Sequence, residues 1–173
     1  DFFESAKQLQ AQDSELLFVA PMISEQRVEQ FNTFKAEFAP DLVVEVILGQ
    51  TQEVMAASDC LLTASGTVTL EAALIKRPMV ICYRFSPVTF LLGRWLVKLK
   101  WFSLPNLLAN KSLVPELLQK EVCADKIVPL IKERLYQDQS QLNDSYIHIH
   151  QQLKCDASKQ AAKAVLDVLS NKF

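Results

Sequence analysis

Residues 60–82 read Cys-Leu-Leu-Thr-Ala-Ser-Gly-Thr-Val-Thr-Leu-Glu-Ala-Ala-Leu-Ile-Lys-Arg-Pro-Met-Val-Ile-Cys. A short apolar run comes first, and a turn of small residues from Ser65 to Thr67 interrupts it. A helical pattern then extends through Ile75, and Pro78 ends it before a second apolar run. The stretch therefore predicts a strand, a tight turn, a helix and a second strand.

The turn at Ser65, Gly66 and Thr67 is a candidate phosphate site. The N–H groups in the first turn of a helix lack intrahelical partners and lie at its positive dipole end, so they bind anions. Glu71 lies on the same face as Thr67, one turn further along, where a carboxylate would accept hydrogen bonds from ribose hydroxyls. The alternative is that Ser65 or Thr67 only caps the helix and Glu71 is solvated. A capping box requires Glu or Gln three residues after the cap, and neither Ser65 nor Thr67 has one at that position.

The composition is that of a folded protein. Of its 173 residues, 50% are hydrophobic and the formal net charge is −2, which excludes disorder and gives no reason to expect nucleic-acid binding. Cys60, Cys82, Cys123 and Cys155 form no Cys-x-x-Cys pair, and we interpret them as reduced residues of a cytosolic protein. No signal peptide is visible, and no apolar run approaches the ~20 residues that a membrane-spanning helix needs.

Strand patterns alternate with helical patterns along the first half of the chain. Because the strand patterns are apolar on both faces, we expect a Rossmann-like α/β fold, with a parallel sheet covered by helices on both faces. Ligands of such sheets bind beyond the carboxyl ends of the strands. Gly49, Gln50, Thr51 and Gln52 fall at one such end and the turn at residues 65–67 at another, so a nucleotide would lie across both loops. Dinucleotide and P-loop glycine motifs are absent from the sequence.

The segment from Arg84 to Ser103 is basic, aromatic and rich in leucine. We expect a helix from Ser86 that is too short to span a bilayer and is typical of one lying in the interface of an anionic membrane. A buried helix at a domain interface, with its lysines reaching solvent, is the equally supported alternative. The candidate membrane or acyl contacts are Arg84, Phe90, Leu91, Leu92, Arg94, Trp95, Lys98 and Trp101.

The remaining sequence predicts a tight turn at Ser103-Leu-Pro-Asn106 and helices over 113–119, 124–136 and 157–169. Asn106 is either a turn residue or a side chain within reach of a phosphate or sugar hydroxyl. Pro129 is tolerable only in the opening turn of its helix. His148 and His150 lack further ligands at metal-site spacing, so we expect no metal site.

Several motifs, taken in order, resemble the lipid-A-disaccharide synthase family over essentially the whole chain. They are Leu62-Thr-Ala-Ser-Gly-Thr-Val-Thr-Leu-Glu71, Pro78-Met-Val-Ile-Cys-Tyr-Arg84, Phe90, and Ser103-Leu-Pro-Asn106-Leu-Leu-Ala109. The resemblance implies the carboxyl-terminal, donor-binding half of a two-domain GT-B glycosyltransferase. Residues 1–136 would form the UDP-sugar domain. Residues 137–173 would be helices that cross to the other domain or exchange in a homodimer.

By this resemblance, UDP-2,3-diacylglucosamine donates its sugar to 2,3-diacylglucosamine 1-phosphate, by an inverting route without metal or cofactor, at the cytoplasmic face of the bacterial inner membrane. Ser65, Gly66 and Thr67 would hold the diphosphate, Glu71 the ribose, and Asn106 the phosphate side of the donor. The loop of residues 49–52 would lie against the uracil.

The chain departs from the family pattern in two ways. It lacks the amino-terminal acceptor domain with its general base, and a Gly-Ser-Arg segment that supplies a donor-phosphate arginine. No catalytic residue is therefore expected in this chain, and we expect it to be inactive alone. The alternatives are another GT-B enzyme, such as a peptidoglycan N-acetylglucosaminyltransferase or a UDP-sugar epimerase, and a non-catalytic nucleotide-binding or membrane-docking module.

Overall fold

The structure is a computed structural model, and it describes residues 1–64, 66–86, 100–154 and 156–170. Helices and strands alternate along the chain. The elements are α1 (Phe2–Gln12), β1 (Phe18–Met22), α2 (Glu25–Phe38), β2 (Val44–Leu48), α3 (Thr51–Ala57), β3 (Leu61–Thr63), α4 (Gly66–Leu74), β4 (Met79–Tyr83), α5 (Leu104–Ala109), β5 (Glu116–Leu118), a 3-10 turn (Gln119–Glu121), α6 (Ala124–Tyr136), α7 (Ser140–Leu153) and α8 (Ala157–Ser170).

The strands pair in parallel, as the sequence predicts. The described strands form two sheets rather than the one expected: β1 pairs with β2 in the first, with Phe18 opposite Val44, and β4 lies between β3 and β5 in the second. Parallel pairing needs a crossover connection, and the helices between the strands supply it. The α/β class with helices around parallel strands is confirmed, and the arrangement is consistent with a Rossmann-like half of a GT-B fold.

β4 is the centre of the core, and all five of its residues are buried. Its side chains alternate between two apolar clusters. Met79, Ile81 and Tyr83 pack with residues of α4 and α7, whereas Val80 and Cys82 pack with residues of α1 and α6. Burial of each aliphatic side chain stabilises the folded state by about 1.5–3 kcal/mol. Because β4 contributes side chains to both clusters, it holds both helical layers together.

Local sequence signals set several helix ends. The Ser24 hydroxyl accepts the Arg27 N–H at 3.4 Å, at the start of α2. At the end of α4, Lys76 adopts a left-handed conformation with φ of 61°. The N–H groups of Lys76 and Arg77 then donate to Ala73 and Ala72, respectively, which terminates the helix in a Schellman pattern.

Three predictions of local structure are wrong. Residues 113–119 form β5 and the start of the 3-10 turn rather than a helix, because the run is short and pairs with the open edge of β4. Residues 103–106 begin α5, with Ser103 as N-cap, rather than forming a tight turn. Pro129 lies inside α6, where burial of Ile127 and Ile131 on either side compensates for the lost hydrogen bond.

The predicted interfacial helix from Ser86 falls on residues 87–99, which lie outside the described residues. In the part of the chain that the structure describes, no helix is both long enough and apolar enough to cross a membrane.

Candidate nucleotide-binding site

The loop after β2 is fixed by two consecutive left-handed residues. Gly49 has φ of 71° and Gln50 has φ of 52°. The Gly49 N–H donates to the Met22 carbonyl at 2.7 Å, which ties this loop to the end of β1. Gln50 is then the N-cap of α3, and Thr51 and Gln52 lie exposed in its first turn. The loop therefore presents polar groups at the carboxyl ends of two parallel strands.

The start of α4 is open to solvent, as a phosphate site requires. Gly66 is the first helical residue, and nothing lies within 4 Å of where a Cβ would stand. Thr67 is exposed, whereas Thr69 is buried and its hydroxyl donates to the Gly66 carbonyl at 2.5 Å. Glu71 is half-buried one turn further on. Ser65 lies outside the described residues.

The two loops flank the same helix. α3 packs against both β1 and α4, so the first turns of α3 and α4 belong to neighbouring elements that follow parallel strands. That a nucleotide spans both loops stays a prediction. Two surface clefts lie elsewhere: one of about 410 Å³ lined by Lys111 and Arg134, and one of about 210 Å³ lined by Lys76 and His150.

Asn106 is 0% exposed, and its amide is fully engaged. Its Nδ2 donates to the Val114 carbonyl at 2.8 Å and to Glu116 Oε1 at 2.7 Å. Its Oδ1 accepts the N–H groups of Leu113 at 2.7 Å and Val114 at 2.9 Å. An amide has two donor and two acceptor positions, so none is left for a ligand. A direct contact from Asn106 to the donor requires one of these bonds to open.

Two of the predicted membrane contacts lie among the described residues. The Arg84 guanidinium pairs with Asp1 at 2.8 Å and donates to the Val122 carbonyl at 3.0 Å, so its charge is already partly neutralised. Trp101 is half-buried, and Lys100 Nζ lies 4.6 Å from its ring centroid. The other six fall outside the described residues: Phe90, Leu91, Leu92, Arg94, Trp95 and Lys98.

Sequence reasoning missed two polar residues near this site, Glu116 and Gln119. The Gln119 side chain accepts the N–H of Phe85, which precedes residues 87–99 in the sequence, and the Glu116 side chain accepts the N–H of Phe102, which follows them. The available signal was a charged residue within the apolar run from Leu113 to Leu118, because a carboxylate that enters a core needs several donors.

His148, His150, Cys60 and Cys82 have ordinary structural surroundings. His150 Nδ1 lies 2.8 Å from Lys76 Nζ, and His148 Nε2 lies 3.1 Å from Gln152 Nε2. The described residues contain no group of three or more His, Cys, Asp or Glu that could hold a metal. Burial raises the pKa of the Cys60 thiol to about 12 and that of Cys82 to about 11, so both thiols are protonated at neutral pH.

The fold and the site together define an α/β protein whose helix starts, at the carboxyl ends of parallel strands, suit a phosphorylated ligand. The family model described as lipid-A-disaccharide synthetase matches residues 1–165. The chain therefore belongs to the lipid-A-disaccharide synthase family.

Curated relatives agree with this assignment. A lipid-A-disaccharide synthase of Colwellia psychrerythraea is 85% identical over 173 residues, which is 100% of this chain and 44% of the relative. That of Aeromonas hydrophila is 42% identical over 97% of this chain and 44% of its own length. That of Haemophilus influenzae is 41% identical over 99% of this chain and 45% of its own length. The chain thus spans less than half the length of these relatives.

Proposed function

We propose that this chain is the donor-binding part of a lipid-A-disaccharide synthase. The complete enzyme would transfer 2,3-diacylglucosamine from its UDP conjugate to 2,3-diacylglucosamine 1-phosphate, and would release UDP and a β-1,6-linked disaccharide phosphate. Family membership supports the reaction, and the open first turn of α4 at Gly66 is the observation that supports the donor site. The attack would be inverting and independent of a metal.

The start of α4 would act on the leaving group. As the bond to the sugar breaks, negative charge grows on the UDP diphosphate. Backbone N–H groups at Gly66 and Thr67, with the Ser65 and Thr67 hydroxyls, would stabilise that charge, and the helix dipole would add to the effect. Glu71, one turn deeper, would accept hydrogen bonds from the ribose.

The other donor contacts are proposed on the same geometry. Gly49, Gln50, Thr51 and Gln52 would lie against the uracil, because their loop is fixed at the neighbouring strand ends. Asn106 would hold the phosphate side of the donor, either through its place in the Glu116 network or by exchanging one of its present bonds.

The acceptor chemistry would come from outside this chain. The acceptor and the general base would bind to an amino-terminal domain, residues 137–173 would cross to that domain or exchange in a homodimer, and residues 1–136 would hold the donor. Aromatic and basic residues between Arg84 and Trp101 would contact the acyl chains or inner-membrane lipids at the cytoplasmic face. We propose no cofactor, catalytic residue or nucleic-acid partner for this chain.

Calorimetric titration of this chain with UDP tests the donor site. EDTA is present throughout, and CMP and ADP serve as controls. We expect UDP to bind at least tenfold more tightly than either control, because the proposed contacts read the uracil as well as the phosphates. Equal affinity for the three nucleotides would contradict the proposed uracil contacts. If none of the three nucleotides gives a binding heat, a donor site that is complete within this chain is contradicted.

A further inference from the structure

The Glu116 carboxylate accepts four hydrogen bonds from residues at the start of α5. Its Oε2 accepts the Phe102 N–H at 2.8 Å. Its Oε1 accepts the Ser103 N–H at 2.9 Å, the Ser103 hydroxyl at 2.5 Å and Asn106 Nδ2 at 2.7 Å. Ser103 and Asn106 are both 0% exposed, and the ion pairs identified among the described residues do not include Glu116. A partly buried carboxylate is tolerated in such a place because charge-assisted hydrogen bonds replace its water.

Gln119 makes the complementary contacts to Phe85. Its Oε1 accepts the Phe85 N–H at 2.8 Å, and its Nε2 donates to the Phe85 carbonyl at 3.0 Å. Both ends of one amide thus hold a single backbone position, and Gln119 itself has a left-handed backbone conformation with φ of 52°. Glu116 and Gln119 therefore fix Phe102 and Phe85 to the same side of the sheet.

The residues held in this way pack at the carboxyl end of β4. The rings of Phe85 and Phe102 lie 6.0 Å apart, and both contact Tyr83, at 5.7 Å and 6.3 Å between centroids. Tyr83 is the last residue of β4, which neighbours β3, and β3 leads into α4. In addition, α5 packs directly on α4, which carries the proposed phosphate contacts.

We propose that Glu116 is a positioning residue of the donor site. Through four hydrogen bonds it fixes Phe102 and Asn106 and sets the start of α5 against α4, while Gln119 holds Phe85 beside Phe102. The ligand edge of the sheet is thereby formed before the donor arrives, which lowers the cost of donor binding. This inference rests on the proposed function, because it assigns Glu116 to that same site.

The test uses a full-length synthase that carries this sequence, with steady-state kinetics for donor and acceptor. Glu116→Gln keeps the size of the side chain but turns an amide NH₂ toward N–H groups, so at least one bond is lost. We expect the KM for the UDP-sugar donor to rise at least fivefold, with kcat and the acceptor KM changing less than twofold. Glu133→Gln, which removes a carboxylate from α6, is the matched control and should leave all three constants at parental values.

A role limited to fold stability would lower the melting temperature without this split between donor KM and kcat. A folded Glu116→Gln enzyme with the parental donor KM overturns the inference. If that variant does not fold, Ser103→Ala is tested instead, since it removes one hydrogen bond to Glu116. A raised KM for the UDP-sugar supports the inference, and a parental KM overturns it. An inactive parent enzyme would instead overturn the proposed function, so the two failures are distinguishable.

Discussion

At the scale of single residues, the predicted donor contacts differ in exposure: Thr67 and Glu71 are accessible, and Asn106 is not. Thr67 is exposed and Glu71 is half-buried, so both are accessible in a helix whose position the core fixes. Asn106 is completely enclosed, and its four hydrogen bonds hold the backbone of residues 113–114 and the Glu116 carboxylate. Changes at Thr67 and Glu71 therefore test the chemistry, whereas a change at Asn106 also disturbs the fold.

Thr67→Ala and Glu71→Ala, each made in the full-length enzyme, should reduce kcat/KM at least about tenfold, or ~1.4 kcal/mol of transition-state stabilisation. The reason is that each removes a polar group facing the proposed donor without removing a buried contact. Steady-state kinetics measure the change. The matched controls are Thr33→Ala and Glu37→Ala on the exposed face of α2, which should retain parental rates. Near-parental rates for both site variants would reject the proposed donor contacts.

At the scale of elements, α8 differs from the helices of the core. Val165, Leu166, Val168 and Leu169 are between 53% and 61% exposed, although they lie close together on one amphipathic helix. In contrast, α7 buries Leu142, Tyr146 and Ile149 against the sheet. A helix with this much exposed apolar surface is stabilised when another surface covers it.

We therefore expect α8 either to exchange between two chains in a dimer or to open readily in a monomer. Size-exclusion chromatography combined with hydrogen exchange and mass spectrometry distinguishes these cases. Backbone amides of α7 serve as the internal control and should be strongly protected in both states, because α7 packs into the core. A monomer in which α8 is as well protected as α7 would contradict the prediction.

At the scale of the whole molecule, the buried thiols predict a loss of stability in alkali. Burial raises the pKa of Cys60 from 9.0 to about 12 and that of Cys82 from 9.0 to about 11. Above pH 9 the unfolded chain releases these protons while the folded chain retains them, so the folded state binds more protons. The free energy of unfolding should therefore fall as the pH rises from 9 towards 11 and 12. Below pH 9 these two thiols should not change it.

Urea unfolding at pH 8, 9, 10 and 11 measures this effect. A Cys60→Ala, Cys82→Ala double variant should be less stable at pH 8, since it loses core contacts, but its stability should decline less between pH 9 and 11. Other groups also titrate in this range, so the difference between the two declines is the informative quantity. Equal declines in parent and variant would contradict the assignment of the effect to these thiols.

The sequence by itself determined the order of elements over 1–86 and the class of fold. Ser24, Pro78 and the β-branched runs act through local conformational preference and hydrophobic period, which a linear sequence displays. It also located the candidate phosphate turn, because the small residues at 65–67 stand where a strand pattern changes to a helical one.

Only the tertiary structure decided the state of residues 103–119. The edge of β4 was open to one more strand, so residues 116–118 became β5 rather than helix. That pairing brought Glu116 within hydrogen-bond distance of Ser103 and Asn106, thirteen and ten residues earlier in the chain. Such contacts depend on how distant segments pack together, which no local pattern in the sequence encodes.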